Sequence, residues 1–314
     1  MTRNNFFVAP LFTVLCALAV GHAEAVQRAH VASYGLDSNT TFNCDVAHPC
    51  RFFQAAITAV DPNGEVVALD SAGYGGVTIT KSVSLVAPAG VYAGISVFQY
   101  ASGVTINTPG VRVVLRGLTI NGQGGSYGIL MTDGASLSIE NCVIGNLLTG
   151  YGVLVSTAAN VKIIDTLLRN NNEGIYIAGG ASATISRTTV IASGRSSITI
   201  EGNVAGTTSA TISDSTIWSS RLIGIIALSS NANAKTHVSI VRSTVAHGGE
   251  FSYGVISQSN MGTALLSISK SVVTGHQVGL SLFGSGATLE SLGNNGVRQN
   301  AINASGTITM LSPL

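Results

Sequence analysis

His247, Glu250 and His276 are the residues whose types could do acid-base or metal chemistry, since two imidazoles and a carboxylate at similar offsets in successive repeats could converge. No metal-binding spacing accompanies them, so they stay weak candidates, and no catalytic residue, metal or cofactor is assigned. The segments around them hold a wider set of functional groups. Arg169, Asn171 and Glu173, then Arg195, then Trp218 and Arg221, then Tyr253 fall in successive irregular loops, and Tyr127 and Tyr151 end two earlier ones. Aromatics, amides and guanidiniums on adjacent rigid supports suit an extended glycan: rings stack on sugar faces, and polar groups bond hydroxyls or carboxylates. The competing reading is an ordinary solvated loop.

The supports are repeats. An aliphatic strand recurs seven times, as VVLRGLTI, LSIENCVI, VKIIDTLL, ATISRTTV, ATISDSTI, VSIVRSTV and LSISKSVV. Its anchors are Leu115, Ile139, Ile163, Ile185, Ile212, Ile240 and Ile268, at spacings of 24, 24, 22, 27, 28 and 28 residues. A second series opening mostly on glycine keeps step with it: YGILM, YGVLV, EGIYI, SSITI, IGIIA, YGVIS and VGLSL. Such a period marks a stacked solenoid. Strands this short, separated by brief turns, can pair with the same strand one rung away, which predicts an all-β parallel coil filled by alternate side chains.

Laid out in columns, the repeats sort the remaining candidates. Outward positions of the glycine-led strands read Leu130, Leu154, Tyr176, Thr199, Ile226, Ile256 and Ser281. This mostly apolar stripe has no carboxylate, so neither a calcium site nor a double-carboxylate site is expected there. Leu130, Leu154, Tyr176, Ile226 and Ile256 are instead candidates for an interface, with self-association, cover by the chain's own ends and a hydrophobic ligand as alternatives. Asn141, Asp165, Arg187, Asp214, Arg242 and Lys270 form a largely alternating charge column read as structural. Cys142 falls in a column of small residues and is read as packing.

The chain begins MTRNNFFVAPLFTVLCALAVGHAEA, with Arg3, an apolar run and small residues at Ala23 and Ala25. We read 1–25 as a secretory signal peptide, residues 26–76 as a cap containing one short helix, and 77–314 as repeats ending in a last strand, all one domain. The apolar run is too short and too broken by Pro10 for a membrane anchor, and no later run reaches spanning length. Export makes a Cys44–Cys50 disulfide the preferred reading of CDVAHPC; zinc is the alternative, with only His48 nearby. A net charge of +1, with 9% charged residues and no basic run, argues against nucleic acid.

The glycine-led strands, the polar turns and the opening GLDSN, HPCRFFQAAI and GGVTITKSVSLVAP resemble the pectin-lyase-like superfamily, in particular exported bacterial right-handed β-helix repeat proteins. The resemblance covers nearly all of the mature chain and implies architecture more than activity. The superfamily's pectate lyases hold calcium with aspartates and abstract a proton with a basic residue; its polygalacturonases carry N-T-D, D-D and G-H-G. None of these motifs is present, and GHQ at Gly275 and HGG at His247 are the nearest approaches. The leading expectation is a secreted, periplasmic or cell-surface protein, not an enzyme, that binds a polysaccharide or surface glycan through its loop face. The alternatives are a lyase or hydrolase with an atypical site and a self-associating surface module.

Overall fold

The computed structural model describes residues 26–312; the expected signal peptide lies outside them. The chain winds into a parallel β-solenoid of about nine turns. Each regular turn contributes strands to a 20-stranded sheet, which receives both the first-motif and the glycine-led strands, and to a 10-stranded sheet of short strands such as Val143–Gly145, Leu167–Arg169 and Thr216–Trp218. In the last full turns the two strips of the large sheet merge through the long strands Ile223–Val241 and Tyr253–Ser269.

The anchors of the first motif pair in register from Leu115 through Ile139, Ile163, Ile185, Ile212 and Ile240 to Ile268. All seven are fully buried. Beside them Ile129, Val153, Ile175, Ile198, Ile225, Val255 and Leu280 form the second internal column. Stacked aliphatic columns are the main stabilising contribution, at roughly 25 cal/mol per Å² of apolar area removed from water. Glycine opens the second motif because the corner is crowded: a Cβ on Gly174 would sit 2.4 Å from the Ser197 carbonyl oxygen, and one on Gly224 2.4 Å from that of Gly254.

The Cys142 column is a ladder. Cys142, Thr166, Thr188, Ser215, Ser243 and Ser271 are buried, and the backbone N–H groups of Thr188, Ser215 and Ser243 donate to the hydroxyl one rung on at 3.2, 3.2 and 3.1 Å. This satisfies polar groups that an apolar interior would otherwise strand. The charge column sits at left-handed turns, with φ between 47° and 52° at Asn141, Asp165, Arg187, Asp214, Arg242 and Lys270. Arg187 forks onto Asp165 and Arg242 onto Asp214 through two hydrogen bonds each, the pairing expected of a structural column. At the cap, the helix Phe53–Ala59 packs Phe53 against the first rungs, and Cys44 and Cys50 are disulfide-bonded and buried beside it. The bond removes the zinc alternative.

Candidate functional site

The loops before the glycine-led strands do not form one face. A left-handed residue divides each of them, at Asn146, Asn170, Ala192, Ser219 and His247. Residues ahead of it belong to the short sheet: Arg169, Ile191, Trp218 and Ala246 share one register column there. Trp218 packs against His247 at 4.0 Å between ring centroids, with the ring planes tilted by 36°. Residues after it turn inward or onto the large sheet. Asn171 turns inward; it is buried, accepts from the Leu147 N–H at 3.2 Å and donates to the Ile144 carbonyl at 3.2 Å, which closes the corner.

His247, Glu250 and His276 are not brought together. His247 and Glu250 are exposed, whereas His276 is buried inside the coil with Nδ1 3.1 Å from Ser252 Oγ. Burial holds the His276 imidazole below its ordinary pKa. Among the described residues no group of three or more His, Cys, Asp or Glu could hold a metal. Arg221 is exposed and makes no ion pair among the described residues.

What converges is a cleft on the outer surface of the glycine-led strands. Tyr127, Tyr151, Glu173, Ser196, Ile223 and Tyr253 occupy one register column, the residue just before or opening each strand. Glu201, Leu228 and Gln258 occupy another, beyond the central stripe. These flanking columns stand over the stripe. Ile226 and Ile256 are accordingly 5% and 2% exposed, and Thr199 and Ser281 are buried, whereas Leu130, Leu154 and Tyr176 remain half-buried. The central column carries no acid, as expected, but the expectation that this face cannot assemble two carboxylates fails. Glu173 enters from one side and Glu201 from the other, two columns that the reading of the middle positions alone passes over.

The cleft has a volume of about 200 Å³ and is lined by both glutamates, Tyr151, Tyr176, Arg195 and Thr199, with Ile223, Ile226 and Leu228 beneath. Glu173 Oε1 pairs with Arg195 Nη1 at 3.0 Å, and Oε2 accepts from the Thr199 hydroxyl at 3.3 Å. The glutamate side chain is only 4% exposed while that of Arg195 is 63% exposed, so the guanidinium closes the carboxylate in from the solvent side. Burial pushes the Glu173 carboxyl above its ordinary pKa, and the Arg195 charge opposes that rise. Glu201 accepts from the Tyr176 hydroxyl and from the Ser230 hydroxyl. Burial and the Glu201 carboxylate both raise the Tyr176 phenol, which stays protonated as the donor; burial and Glu173 raise Tyr151 likewise.

Aromatic rings continue the cleft in both directions. Tyr127 stacks on Tyr151 at 5.7 Å, and Tyr151 meets Tyr176 edge-on at 5.6 Å. On the other side Ile223 also lines an apolar cleft of about 390 Å³ with Leu222, Phe251, Tyr253, Ile256 and Phe283, where Tyr253 meets Phe283 edge-on at 5.7 Å. From Tyr127 to Phe283 this is a groove over seven strands, roughly 29 Å at one strand spacing each. Of the ligand candidates read from the sequence, Glu173, Arg195 and Tyr253 lie in it, as do Tyr176, Ile226 and Ile256 from the interface set. Arg169 and Trp218 lie on the short sheet. Glu201 is absent from the sequence reading, although strand alternation in SSITIE puts it on the same face as Thr199.

Residues 102–302 match the family model described as the right handed beta helix region. No curated protein matches the chain. Among solved structures it is similar to pectate lyase Pel9A, at 14% identity and a TM-score of 0.58, over 90% of this chain and 79% of that one. It is also similar to an alginate lyase from Paenibacillus sp. str. FPU-7, at 15% identity and a TM-score of 0.56, over 83% of this chain and 99% of that one. At such identities the likeness concerns the coil and not the chemistry on it. The matched model, the in-register columns and the parallel winding agree, and the chain belongs to the right-handed β-helix family.

Proposed function

We propose that the protein is exported and binds an extended polysaccharide along the groove on its glycine-led sheet. One observation carries the reading: fixed hydrogen-bonding groups at the centre of the groove, Glu173 with Arg195 and Glu201 with Tyr176, lie between aromatic rings on both sides. Sugars need this combination, since their faces are apolar and their rims are hydroxyls. The two similar structures are named for action on pectate and alginate, which supports a polysaccharide as the ligand class. Export is supported by the disulfide and the leader-like start, and no helix among the described residues is long and apolar enough to cross a membrane.

The test is retention of the purified protein on a panel of acidic and neutral glycans. Tyr151→Ala and Tyr176→Ala should lose retention, whereas Trp218→Ala, on the other sheet, should keep it. Loss with Trp218→Ala alone would return the site to the short-sheet side. Cleavage is a second reading, favoured by Glu173: a buried carboxyl with a raised pKa beside a second carboxylate is the arrangement glycoside hydrolysis uses. It predicts new reducing ends that Glu173→Gln abolishes. Self-association has less surface to work with, because Ile226 and Ile256 are already covered and only Leu130, Leu154 and Tyr176 keep partial exposure.

A further inference from the structure

The charges in the cleft set a preference that the names of the similar structures do not contain. Three charged side chains line it: the carboxylates of Glu173 and Glu201 and the guanidinium of Arg195, so one positive charge against two negative ones leaves −1. The positive charge is already engaged, since Arg195 Nη1 is 3.0 Å from Glu173 Oε1. Glu201 has no cation within ion-pairing distance among the described residues. Its two hydrogen-bond donors, the hydroxyls of Tyr176 and Ser230, are neutral. Arg221, the other guanidinium near the groove, belongs to the corner before Leu222 and is not among the residues lining the cleft.

A uronate chain threaded past Tyr176 would therefore bring its carboxylates toward an unneutralised one, and the one cation among the described residues that line the cleft, Arg195, is already paired with Glu173. An uncharged sugar meets the opposite situation. Glu201 is held by two donors and keeps lone pairs free to accept from sugar hydroxyls, and the tyrosine rings accept its faces regardless of charge.

We infer that Glu201 is a specificity-determining residue that makes the groove select an uncharged polysaccharide over a polyuronate. This rests on the groove being the glycan site, and the experiment separates the two ideas by holding the backbone constant. Binding of the mature protein is measured by affinity electrophoresis and calorimetry to polygalacturonate and to the same polymer fully methyl-esterified, with a neutral β-glucan alongside. A like charge at about 8 Å in an effective dielectric of about 20, partly screened by salt, corresponds to a preference of roughly tenfold for the esterified form. Glu201→Gln should remove the preference, moving the ratio of the two affinities about tenfold toward polygalacturonate. Because the glutamine variant could perturb folding, a salt titration of the wild type provides a second readout: added salt should narrow the gap between the two polymers.

Equal or tighter binding of polygalacturonate by the wild type overturns the inference and leaves the groove reading intact. A preference for the ester that survives both Glu201→Gln and high salt overturns it as well. Failure of every polymer to bind removes the groove reading, and the inference with it.

Discussion

Replacing Arg195 by alanine isolates the most buried charge in the groove. Glu173 would keep only the Thr199 hydroxyl, 3.3 Å from Oε2, inside a site that leaves its side chain 4% exposed. Breaking a fully buried ion pair by removing one partner costs about 3–5 kcal/mol. Here the arginine is 63% exposed, so water takes over part of its role once it is gone, and the expected loss at pH 8 is about half of that, roughly 2 kcal/mol. The loss depends on pH in a defined direction. Glu173 is already raised above its ordinary value of 4.5 by burial, and without Arg195 it rises further. A carboxyl with a raised folded-state pKa favours the fold when protonated, so its contribution is fully present below the unfolded value and is lost as pH rises through the folded one.

Wild type and Arg195→Ala should therefore converge as pH falls toward about 4.5 and separate above it. The assay is urea unfolding, since urea does not screen the pair, at pH 8 and pH 5, with Glu173→Gln and the double variant completing a cycle. Arg195→Ala in the Glu173→Gln background should cost less than about 0.5 kcal/mol. A loss at pH 8 below about 0.5 kcal/mol, a loss unchanged at pH 5, or an equal loss in the glutamine background would refute the account of Glu173 as a buried charge closed in by Arg195.

Gly174→Ala should destabilise by about 1–3 kcal/mol, because its Cβ would lie 2.4 Å from the Ser197 carbonyl oxygen and 2.7 Å from Val190 Cγ1. Gly73→Ala, whose nearest neighbour would be 4.0 Å away, is the control in the same thermal melt, and equal effects would reject the crowding argument. His276 is kept neutral by burial and its folded pKa lies below 6.5, so its contribution is present above 6.5 and is lost as pH falls through that value and below. His276→Asn should flatten the acid side of the stability curve by up to about one bound proton. Buried His30, lowered by the same cause, should leave a residue of the slope.

Much of the fold was legible because the repeat makes identical demands at each rung. Ile163, Ile185 and Ile212 recur at one phase of the strand, and their stacking follows from pairing like with like. The charge column was legible for the same reason: Asp165 and Arg187 are equivalent positions, and equivalent positions of adjacent rungs must be neighbours. The site was legible only in part. Glu173, Arg195 and Tyr253 are legible by type, but nothing in the repeat records that the loops holding them face two different sheets. The left-handed turn at Asn170 and its counterparts sends Arg169 and Trp218 to the short sheet and brings Glu173 and Tyr253 onto the large one. Glu201 lies two residues beyond the middle outward column, at a position that the glycine-led motif does not mark.

By itself the sequence determined the parallel coil and its internal columns, because these depend on the period of side chains along short strands and on residues that repeat. Only the tertiary structure decided the cleft. Its contacts join residues that occupy different columns: Glu173 with Arg195 across 22 positions, and Tyr176 with Glu201 across 25. Such diagonal contacts depend on where each corner turns and how far a side chain reaches over the sheet. Corners vary from rung to rung, so no fixed period records them.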